Sequence, residues 1–376
     1  MAVGLYIHIP FCARKCAYCS FYSLPGGRQQ RADYLRALGR HIALWGQRCS
    51  GETVDSIYFG GGTPSLLAND IPAVLDAVRR HFNVAAGCEI SMECNPATIA
   101  PHQYNALRKA GVDRLSFGVQ STCDAQLVQL GRLHTVQQAK DSLLDARAAG
   151  FSDLSVDFML GLPGQQVQAA DDMAAFLHET RPTHISAYML KLEPGTPLYA
   201  QKDALDLPDE DAVADLYLAA VQAFSQLGYD QYEISNFARP GRRCVHNMKY
   251  WQLEDYIGIG PAAHSLYRGR RCYYPSDLSA FLGGGLELLQ HEGRSDLEEY
   301  CMLRLRLTDG LDVSAASRQL RSGRLPPDPD IDLAAVTGRA APLAAAGLVL
   351  VQGSRVSLTP AGFLLSNAIT AKLLFG

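Results

Sequence analysis

Near its amino terminus the chain reads Tyr6-Ile-His-Ile-Pro-Phe-Cys12-Ala-Arg-Lys-Cys16-Ala-Tyr18-Cys19. A strand-like run, Val3–Ile9, ends at Pro10, and three cysteines follow at C-x3-C-x2-C spacing. Cysteine-rich runs of this kind hold iron–sulfur clusters, and a [4Fe–4S] cluster needs four ligands. A fourth cysteine is missing locally, because Ser20 and Phe21 follow Cys19. One iron would therefore stay open for a small molecule, as an open metal position does at a working site.

Zinc and a disulfide are the alternatives for these cysteines. Structural zinc takes four ligands, commonly from two Cys-x2-Cys pairs or from Cys and His pairs. A second such pair is absent, because none of the remaining cysteines lie at that spacing: Cys49, Cys88, Cys94, Cys123, Cys244, Cys272 and Cys301. A disulfide is disfavoured, since three clustered cysteines cannot pair off and nothing in the sequence indicates export.

The cysteine stretch resembles the radical S-adenosylmethionine (SAM) superfamily. In that superfamily three cysteines hold the cluster, and the open iron binds the amino and carboxylate groups of SAM. The flank Tyr-x-His-Ile-Pro-Phe-Cys is similar to one branch, the oxygen-independent coproporphyrinogen III oxidase group. The resemblance implies that Cys12, Cys16 and Cys19 are the cluster ligands. It also places Tyr6 and Tyr18 in the pattern around the cluster.

Length and composition limit the protein class. A chain of 376 residues suggests about two domains. The net charge of −4 is small, so composition favours neither nucleic acid nor an anionic membrane as a partner. Ten cysteines without a recognisable export signal indicate a reducing compartment. We therefore expect a cytoplasmic protein without a transmembrane segment, and the sequence leaves open contact with the membrane surface.

Strand-like and helix-like segments alternate over roughly the first 235 residues, which predicts an α/β fold with a parallel sheet. The predicted strands are Val3–Ile9, Val54–Phe59, Glu89–Met92, Arg114–Val119, Leu154–Met159 and His184–Leu190. Six such units fit an incomplete (β/α)6 barrel, the fold that the resemblance also implies. A polar or glycine-rich motif follows each strand, and in such barrels the chemistry gathers at the carboxyl ends of the strands.

The sequence predicts three regions. Residues 1–235 form the radical SAM partial barrel, and residues 236–286 form an extension that closes over the barrel mouth. Residues 287–376 form a mostly helical, winged-helix-like domain, because two short strands flank a Gly353-Ser354 turn and Thr359-Pro360 opens a helix. DNA binding is not expected, since the last helix carries Lys372 as its one basic residue.

Glycine and polar residues at the strand ends are the candidates for SAM binding. Glycines let backbone atoms approach a ligand closely, and a guanidinium is a natural partner of a carboxylate. Amide and carboxylate side chains can accept hydrogen bonds from hydroxyl groups. The resemblance assigns the amino group of SAM to Gly61, Gly62 and Thr63, and a polar group of the cofactor to Glu93. It assigns the ribose to Gln120 and Asp157, and the carboxylate to Arg132.

A second stretch reads His246-Asn247-Met248-Lys249-Tyr250-Trp251. Taken by itself it is compatible with a surface turn that buries a tryptophan. Histidine is also a common haem ligand, and aromatic rings offer flat apolar faces. The motif His-Asn-x-x-Tyr-Trp resembles the haem-binding motif of haem chaperones related to coproporphyrinogen oxidase. That resemblance implies haem binding by His246, Asn247, Tyr250 and Trp251. Cys244, two residues before His246, is a conceivable alternative iron ligand, but we expect its position there to be incidental.

The resulting hypothesis is a haem chaperone of the radical SAM type. It would bind a [4Fe–4S] cluster, SAM and haem, and would transfer haem to respiratory haem proteins. The alternative is an enzyme, oxygen-independent coproporphyrinogen III dehydrogenase. The true oxidases carry a further cysteine where this chain has Phe21, which argues against that activity. The sequence leaves open whether the protein forms a homodimer.

Overall fold

The structure, a computed structural model, describes residues 2–376. Six parallel strands pair in chain order: β1 (Ala2–Ile9), β2 (Thr53–Gly61), β3 (Asn83–Cys94), β4 (Arg114–Gln120), β5 (Asp153–Leu160) and β6 (His184–Met189). All six were predicted, with ends that differ by one or two residues except that β3 begins at Asn83 rather than Glu89. Most residues of β1 are buried on both faces, as is usual for parallel strands covered by helices.

Helices connect these strands. They are α1 (Arg28–Arg48), α2 (Ile71–His81), α3 (Pro101–Ala110), α4 (Asp124–Gln129), α5 (Val136–Ala148), α6 (Ala169–Thr180), α7 (Pro197–Ala200) and α8 (Glu210–Gln226). Local signals mark several ends: the Thr135 side chain accepts a hydrogen bond from the Gln138 amide and so caps α5. Gly150 follows α5 in a left-handed conformation, as a helix-stop glycine should.

Further strands extend the sheet at both sides. Beyond β6 lie β7 (Asp230–Gln231) and β8 (Asn236–Ala238), both antiparallel to their neighbours. Beyond β1 lie β9 (Tyr256–Ile259), β10 (His264–Tyr267), β11 (Arg270–Tyr273) and β12 (Gln290–Arg294). This segment also contains α9 (Val245–Gln252) and α10 (Leu278–Gly283). The resulting twelve-stranded sheet is open in the described residues, which confirms an incomplete rather than a closed barrel.

The carboxyl-terminal part is mostly helical, as predicted. It contains α11 (Leu297–Leu305), β13 (Leu311–Asp312), α12 (Val313–Arg321), α13 (Val336–Ala345), β14 (Val349–Gln352), β15 (Arg355–Leu358), α14 (Pro360–Leu364) and α15 (Ser366–Phe375). Strands β13, β15 and β14 form a small antiparallel sheet with the expected hairpin at Gly353. The three domain limits stay a prediction, and β12 pairs with β11 although it lies beyond residue 286.

Parallel pairing decides where the site lies. The carboxyl ends of β1 to β6 point the same way, so the segments that follow them meet at one end of the barrel. The buried core is continuous from β1 through the helices to α15. Among residues 2–376, the structure contains no helix with the length and apolar character needed to cross a bilayer.

Candidate functional site

The cysteine loop, residues 12–24, lies between β1 and α1. Its base is closed by backbone hydrogen bonds from the Cys12 amide to the Leu24 carbonyl at 3.1 Å and from the Leu24 amide to the Pro10 carbonyl at 2.9 Å. Cys12, Cys16 and Cys19 are free thiols, partly exposed, and all three line one cavity of about 450 Å³. The structure thus brings the three sequence-predicted ligands to one place.

Side chains from two other connecting segments lie close to two of these sulfur atoms. The hydroxyl of Thr63, just after β2, lies 3.4 Å from the Cys12 Sγ. A guanidinium nitrogen of Arg132 lies 3.4 Å from the Cys16 Sγ. Burial raises the pKa of the Cys19 thiol. Donors that point at sulfur favour its thiolate form, the form that ligates metal.

The glycine segment at the end of β2 contacts the residues that lead into the cysteine loop. Gly61 has φ +110°, and a Cβ there would lie 2.6 Å from the His8 ring. A Cβ on Gly62 would lie 2.7 Å from the Phe11 carbonyl oxygen, and the Thr63 amide donates to that same oxygen at 2.8 Å. We expected these glycines to make room for a cofactor. The structure shows that the protein's own atoms already require glycine at both positions.

Two carboxyl groups face the cavity. Glu93 accepts hydrogen bonds from the Tyr58 hydroxyl at 3.1 Å and the Gly61 amide at 3.2 Å. Burial raises the pKa of Glu93 to about 7, and the charge of Asp157 adds to the rise. Asp157 accepts from the Ser116 hydroxyl at 3.0 Å, and burial raises its pKa to about 6. Both groups therefore change charge close to neutral pH.

Arg132 joins several motifs through Asn95, a residue that sequence reasoning missed. The Arg132 guanidinium donates to the Asn95 side-chain oxygen at 2.7 Å, and the Asn95 side-chain nitrogen Nδ2 donates to the Thr63 hydroxyl at 3.0 Å. The sequence feature that could have identified Asn95 is its position in the Glu93-Cys-Asn-Pro96 motif. Arg132 Nε is buried and has no hydrogen-bond partner among residues 2–376, so one donor of this cation remains for a ligand. Gln120, also on the cavity wall, has φ +69°, and non-glycine residues adopt such backbone mainly at functional sites.

Of the two tyrosines in the cluster pattern, Tyr18 lines the cavity. The Tyr6 hydroxyl lies 3.1 Å from His8 Nδ1. The Tyr6 ring stacks on Tyr58 and on His246, with centroid distances of 6.3 and 6.4 Å. Tyr6 therefore links β1 to β2 and to the motif around His246 through these contacts.

His246 is fully buried in this structure. Its Nδ1 lies 2.9 Å from the Ser56 hydroxyl, and its Nε2 lies 2.9 Å from the Tyr250 hydroxyl. Burial and, to a smaller extent, the nearby charge of Lys249 together lower the pKa of His246 to about 3. The ring is therefore neutral, and neither nitrogen is free to bind iron in this arrangement.

The other motif residues are divided between two environments. Asn247 lines the cavity, as does Cys244. Tyr250 packs edge-on against Tyr256, and Trp251 lies under the Arg306 guanidinium at 4.8 Å. Helix α9 packs on β2, and its first two backbone amides donate hydrogen bonds to the Glu89 carboxylate on β3. These contacts place α9 beside β2 and β3. That residues 236–286 close over the barrel mouth stays a prediction.

Residues at the amino ends of β4 to β6 complete the cavity, and sequence reasoning did not select them. Arg114 is almost fully buried and donates to Asp153 at 2.8 Å. His184 bonds to the Ser155 hydroxyl at 2.8 Å through Nδ1 and to the Tyr232 hydroxyl at 2.8 Å through Nε2. The sequence pattern that could have identified Arg114 and His184 is a charged or titratable residue at the start of a mostly apolar strand.

The donor set fits a cluster better than a single ion. No three His, Cys, Asp or Glu side chains within residues 2–376 converge on a point that one metal ion could occupy. A [4Fe–4S] cluster places each cysteine on a different iron, so its ligands stand further apart than those of one ion. Three free thiols beside an unpartnered Arg132 donor thus fit a cluster with a carboxylate ligand nearby.

Comparison with known proteins gives consistent matches. The sequence matches the model of the Radical SAM superfamily over residues 6–177 and that of the HemN C-terminal domain over residues 292–365. It is 40% identical to Heme chaperone HemW of Escherichia coli over 264 residues, 70% of this chain and 69% of that protein. It is 33% identical to Heme chaperone HemW of Mycobacterium tuberculosis, covering 99% of this chain and 94% of that protein.

Structural comparison agrees with the sequence matches. The structure of coproporphyrinogen III oxidase (HemN) from Escherichia coli, described as a radical SAM enzyme, is similar with a TM-score of 0.81 and 25% identity. The match covers 99% of this chain and 89% of that one. Because both domains match and the similarity to the mycobacterial relative spans nearly the whole length of both proteins, the chain belongs to the heme chaperone HemW group of the radical SAM superfamily.

Proposed function

We propose that the protein is a haem chaperone that binds a [4Fe–4S] cluster, SAM and haem, and transfers haem to respiratory haem proteins. The observation that carries this proposal is the convergence of three free thiols on one cavity in a chain related to heme chaperones. We further propose that it works in the cytoplasm and meets its acceptors at the membrane surface.

Cys12, Cys16 and Cys19 would hold the cluster, which when bound supplies an electron and one open iron position. Thr63 and Arg132 would donate hydrogen bonds to two of the ligand sulfur atoms, as they do to the thiols here. Such outer hydrogen bonds orient metal ligands and tune the metal.

SAM would occupy the cavity beside the cluster. The unpartnered Nε of Arg132 is a donor for its carboxylate, and the segment Gly61, Gly62 and Thr63 borders the place for its amino group. Glu93, Gln120 and Asp157 line the same cavity and would accept from amino or hydroxyl groups.

Haem would bind at the motif of His246, Asn247, Tyr250 and Trp251. Since both ring nitrogens of His246 are engaged, iron ligation by this residue requires the ring to leave Ser56 and Tyr250. The proposal thus includes a rearrangement of α9 on haem binding.

Haem titration followed by absorbance tests this site. His246→Ala should lower haem affinity and shift the haem spectrum, because the imidazole ligand is lost. His264→Ala is the control, since His264 is an exposed histidine on β10. Equal haem affinity and spectra in the parent and His246→Ala would remove His246 from the proposal.

The alternative function is oxygen-independent coproporphyrinogen III dehydrogenase, favoured by the similarity to HemN over nearly the whole chain. Anaerobic incubation of reconstituted protein with coproporphyrinogen III, SAM and a reductant distinguishes the two functions. Formation of protoporphyrinogen supports the enzyme. Stable haem uptake and delivery to an apo-acceptor without that product support the chaperone.

A further inference from the structure

His8, on β1, has both ring nitrogens bonded to defined partners. Its Nε2 lies 3.0 Å from the Tyr22 carbonyl oxygen, and its Nδ1 lies 3.1 Å from the Tyr6 hydroxyl. A carbonyl oxygen can only accept, so Nε2 must carry the proton and donate it. Burial lowers the pKa of His8 to about 4, so the ring is neutral at physiological pH. Nδ1 is then the acceptor for the Tyr6 hydroxyl, and the tautomer of the ring is determined.

Three residues lie close to His8, one of them at its ring and two at its backbone. Gly61 and Gly260, on opposite sides of β1, both have positive φ. A Cβ on Gly61 would lie 2.6 Å from the His8 ring, and a Cβ on Gly260 would lie 2.5 Å from the His8 carbonyl oxygen. The Tyr34 hydroxyl donates to that same oxygen at 2.7 Å. The His8 ring therefore requires glycine at position 61, whereas the contacts of Gly260 and Tyr34 hold the backbone of the same residue in place.

The hydrogen bond from His8 Nε2 reaches the cysteine loop in its last part, the residues that follow Cys19. Tyr22 lies three residues after Cys19, and its carbonyl is held by His8 from inside. Its hydroxyl accepts from the Leu278 amide at 2.9 Å on the other side. Tyr22 is therefore held between β1 and α10. This limits how far the nearby part of the loop, which carries Cys19, can move.

We propose that His8 is a positioning residue for the cysteine loop. Its neutral, Nε2-protonated ring pins the Tyr22 carbonyl to β1 and thereby holds Cys19 in a geometry suited to a cluster. This role goes beyond haem transfer and rests on the proposed function only in that the loop binds a cluster. None of the residues assigned to cofactors includes His8, although it lies four positions before Cys12.

Hydrogen exchange on the cluster-free full chain tests the role without any cofactor. His8→Leu introduces an apolar side chain of similar size and removes both hydrogen bonds. The backbone amides of residues 12–24 should then exchange about tenfold faster, as the loss of one or two hydrogen bonds implies. His8→Gln can donate to Tyr22 from a similar position and should restore exchange to within about twofold of the parent. Tyr6→Phe removes the bond that orients the ring at Nδ1 but keeps the bond from Nε2 to Tyr22, so it should give a smaller increase than His8→Leu.

His41→Leu is the matched control. His41 is also buried, with Nδ1 bonded to the Tyr274 hydroxyl at 2.9 Å and Nε2 bonded to the Phe281 carbonyl at 3.2 Å. This variant should leave the exchange of residues 12–24 close to the parent value. Equal exchange in His8→Leu and the parent, or an equal increase in His41→Leu, would overturn the proposal.

Reconstituted protein provides a second readout. His8→Leu should release iron to a chelator roughly tenfold faster than the parent, while His8→Gln stays close to it. If the parent itself holds no cluster, the cluster assignment fails, whereas the exchange result still decides whether His8 positions the loop. Should His8→Leu not fold, His8→Gln and Tyr6→Phe remain, and parent-like loop exchange in Tyr6→Phe would then count against the role.

Discussion

At the scale of single residues, the loop cysteines differ from most others in their surroundings. Cys12, Cys16 and Cys19 line the cavity and are partly exposed. Cys49 and Cys272 are buried in the core, and burial raises the pKa of each thiol. Metal-binding cysteines must be accessible to the metal, and of these five only the three that line the cavity are.

Cysteine replacement should therefore separate the two groups. Anaerobically reconstituted parent protein should hold about four irons per chain, as a [4Fe–4S] cluster requires. Replacing Cys12, Cys16 or Cys19 by Ala should abolish the charge-transfer absorption, while Cys49→Ala and Cys272→Ala should retain it. Iron and zinc analysis checks this, and a parent protein that carries zinc instead would contradict the assignment.

Glu93 should make the stability of the cluster-free protein depend on pH. Burial raises its pKa to about 7, so the folded state binds this proton more tightly than the unfolded chain. The stabilisation is present at low pH and is lost as pH rises through about 7. Between pH 5 and 8 the parent should lose about 2 kcal/mol more unfolding free energy than Glu93→Gln. Urea denaturation measures this, and parallel pH profiles would contradict it.

At the scale of elements, α9 depends on a distant residue for its amino-terminal cap. No side chain of its own N-cap residue, Cys244, caps the helix. The Glu89 carboxylate on β3 instead accepts from the Val245 amide at 3.1 Å and the His246 amide at 3.2 Å. A carboxylate at a helix amino terminus satisfies free amides and interacts favourably with the helix dipole.

Removing that cap should destabilise the protein and loosen α9. Glu89→Ala should lower the free energy of unfolding by about 1–2 kcal/mol, and Glu89→Gln by less, because an amide oxygen can still accept. Exchange of the first α9 amides should rise in the same order. Glu292→Ala, on an exposed part of β12, is the control and should change stability by less than about 0.5 kcal/mol. Protected α9 amides in Glu89→Ala would show that the cap is dispensable.

At the scale of the whole molecule, the barrel and the carboxyl-terminal part share one buried core. Backbone bonds join them: the Ile234 amide donates to the Arg306 carbonyl at 3.0 Å, and the Thr308 amide donates to the Tyr232 carbonyl at 3.1 Å. Trp251 adds a ring contact to Arg306 across the same boundary. Such continuity favours unfolding as one unit.

The two tryptophans of the chain can test this. Trp45 is buried in α1, far along the chain from Trp251 at the boundary. Trp251→Phe leaves Trp45 as the reporter, and Trp45→Phe leaves Trp251. Within each variant, the fluorescence and circular dichroism midpoints in urea should coincide, because a cooperative unit shows one transition to every probe. Separate midpoints within a variant would indicate two independent units.

Short-range patterns let the sequence predict the six strands, the cysteine loop and most of the cavity wall. Residues within one strand or one loop are covalent neighbours, so their spacing is preserved in the fold. Parallel pairing then places all strand ends on one side, which is why Glu93, Gln120 and Asp157 meet as expected.

Contacts between distant segments were decided by the tertiary structure alone. Ser56 and His246 are 190 positions apart and meet only because α9 packs on β2. Asn95, Glu89 and His8 acquire their roles in the same way, through partners on other elements. A sequence shows that a side chain is polar, but its hydrogen-bond partner depends on which elements become neighbours when the chain packs. That is why the motif around His246 was recognised from sequence, whereas the burial of its ring became visible only in the fold.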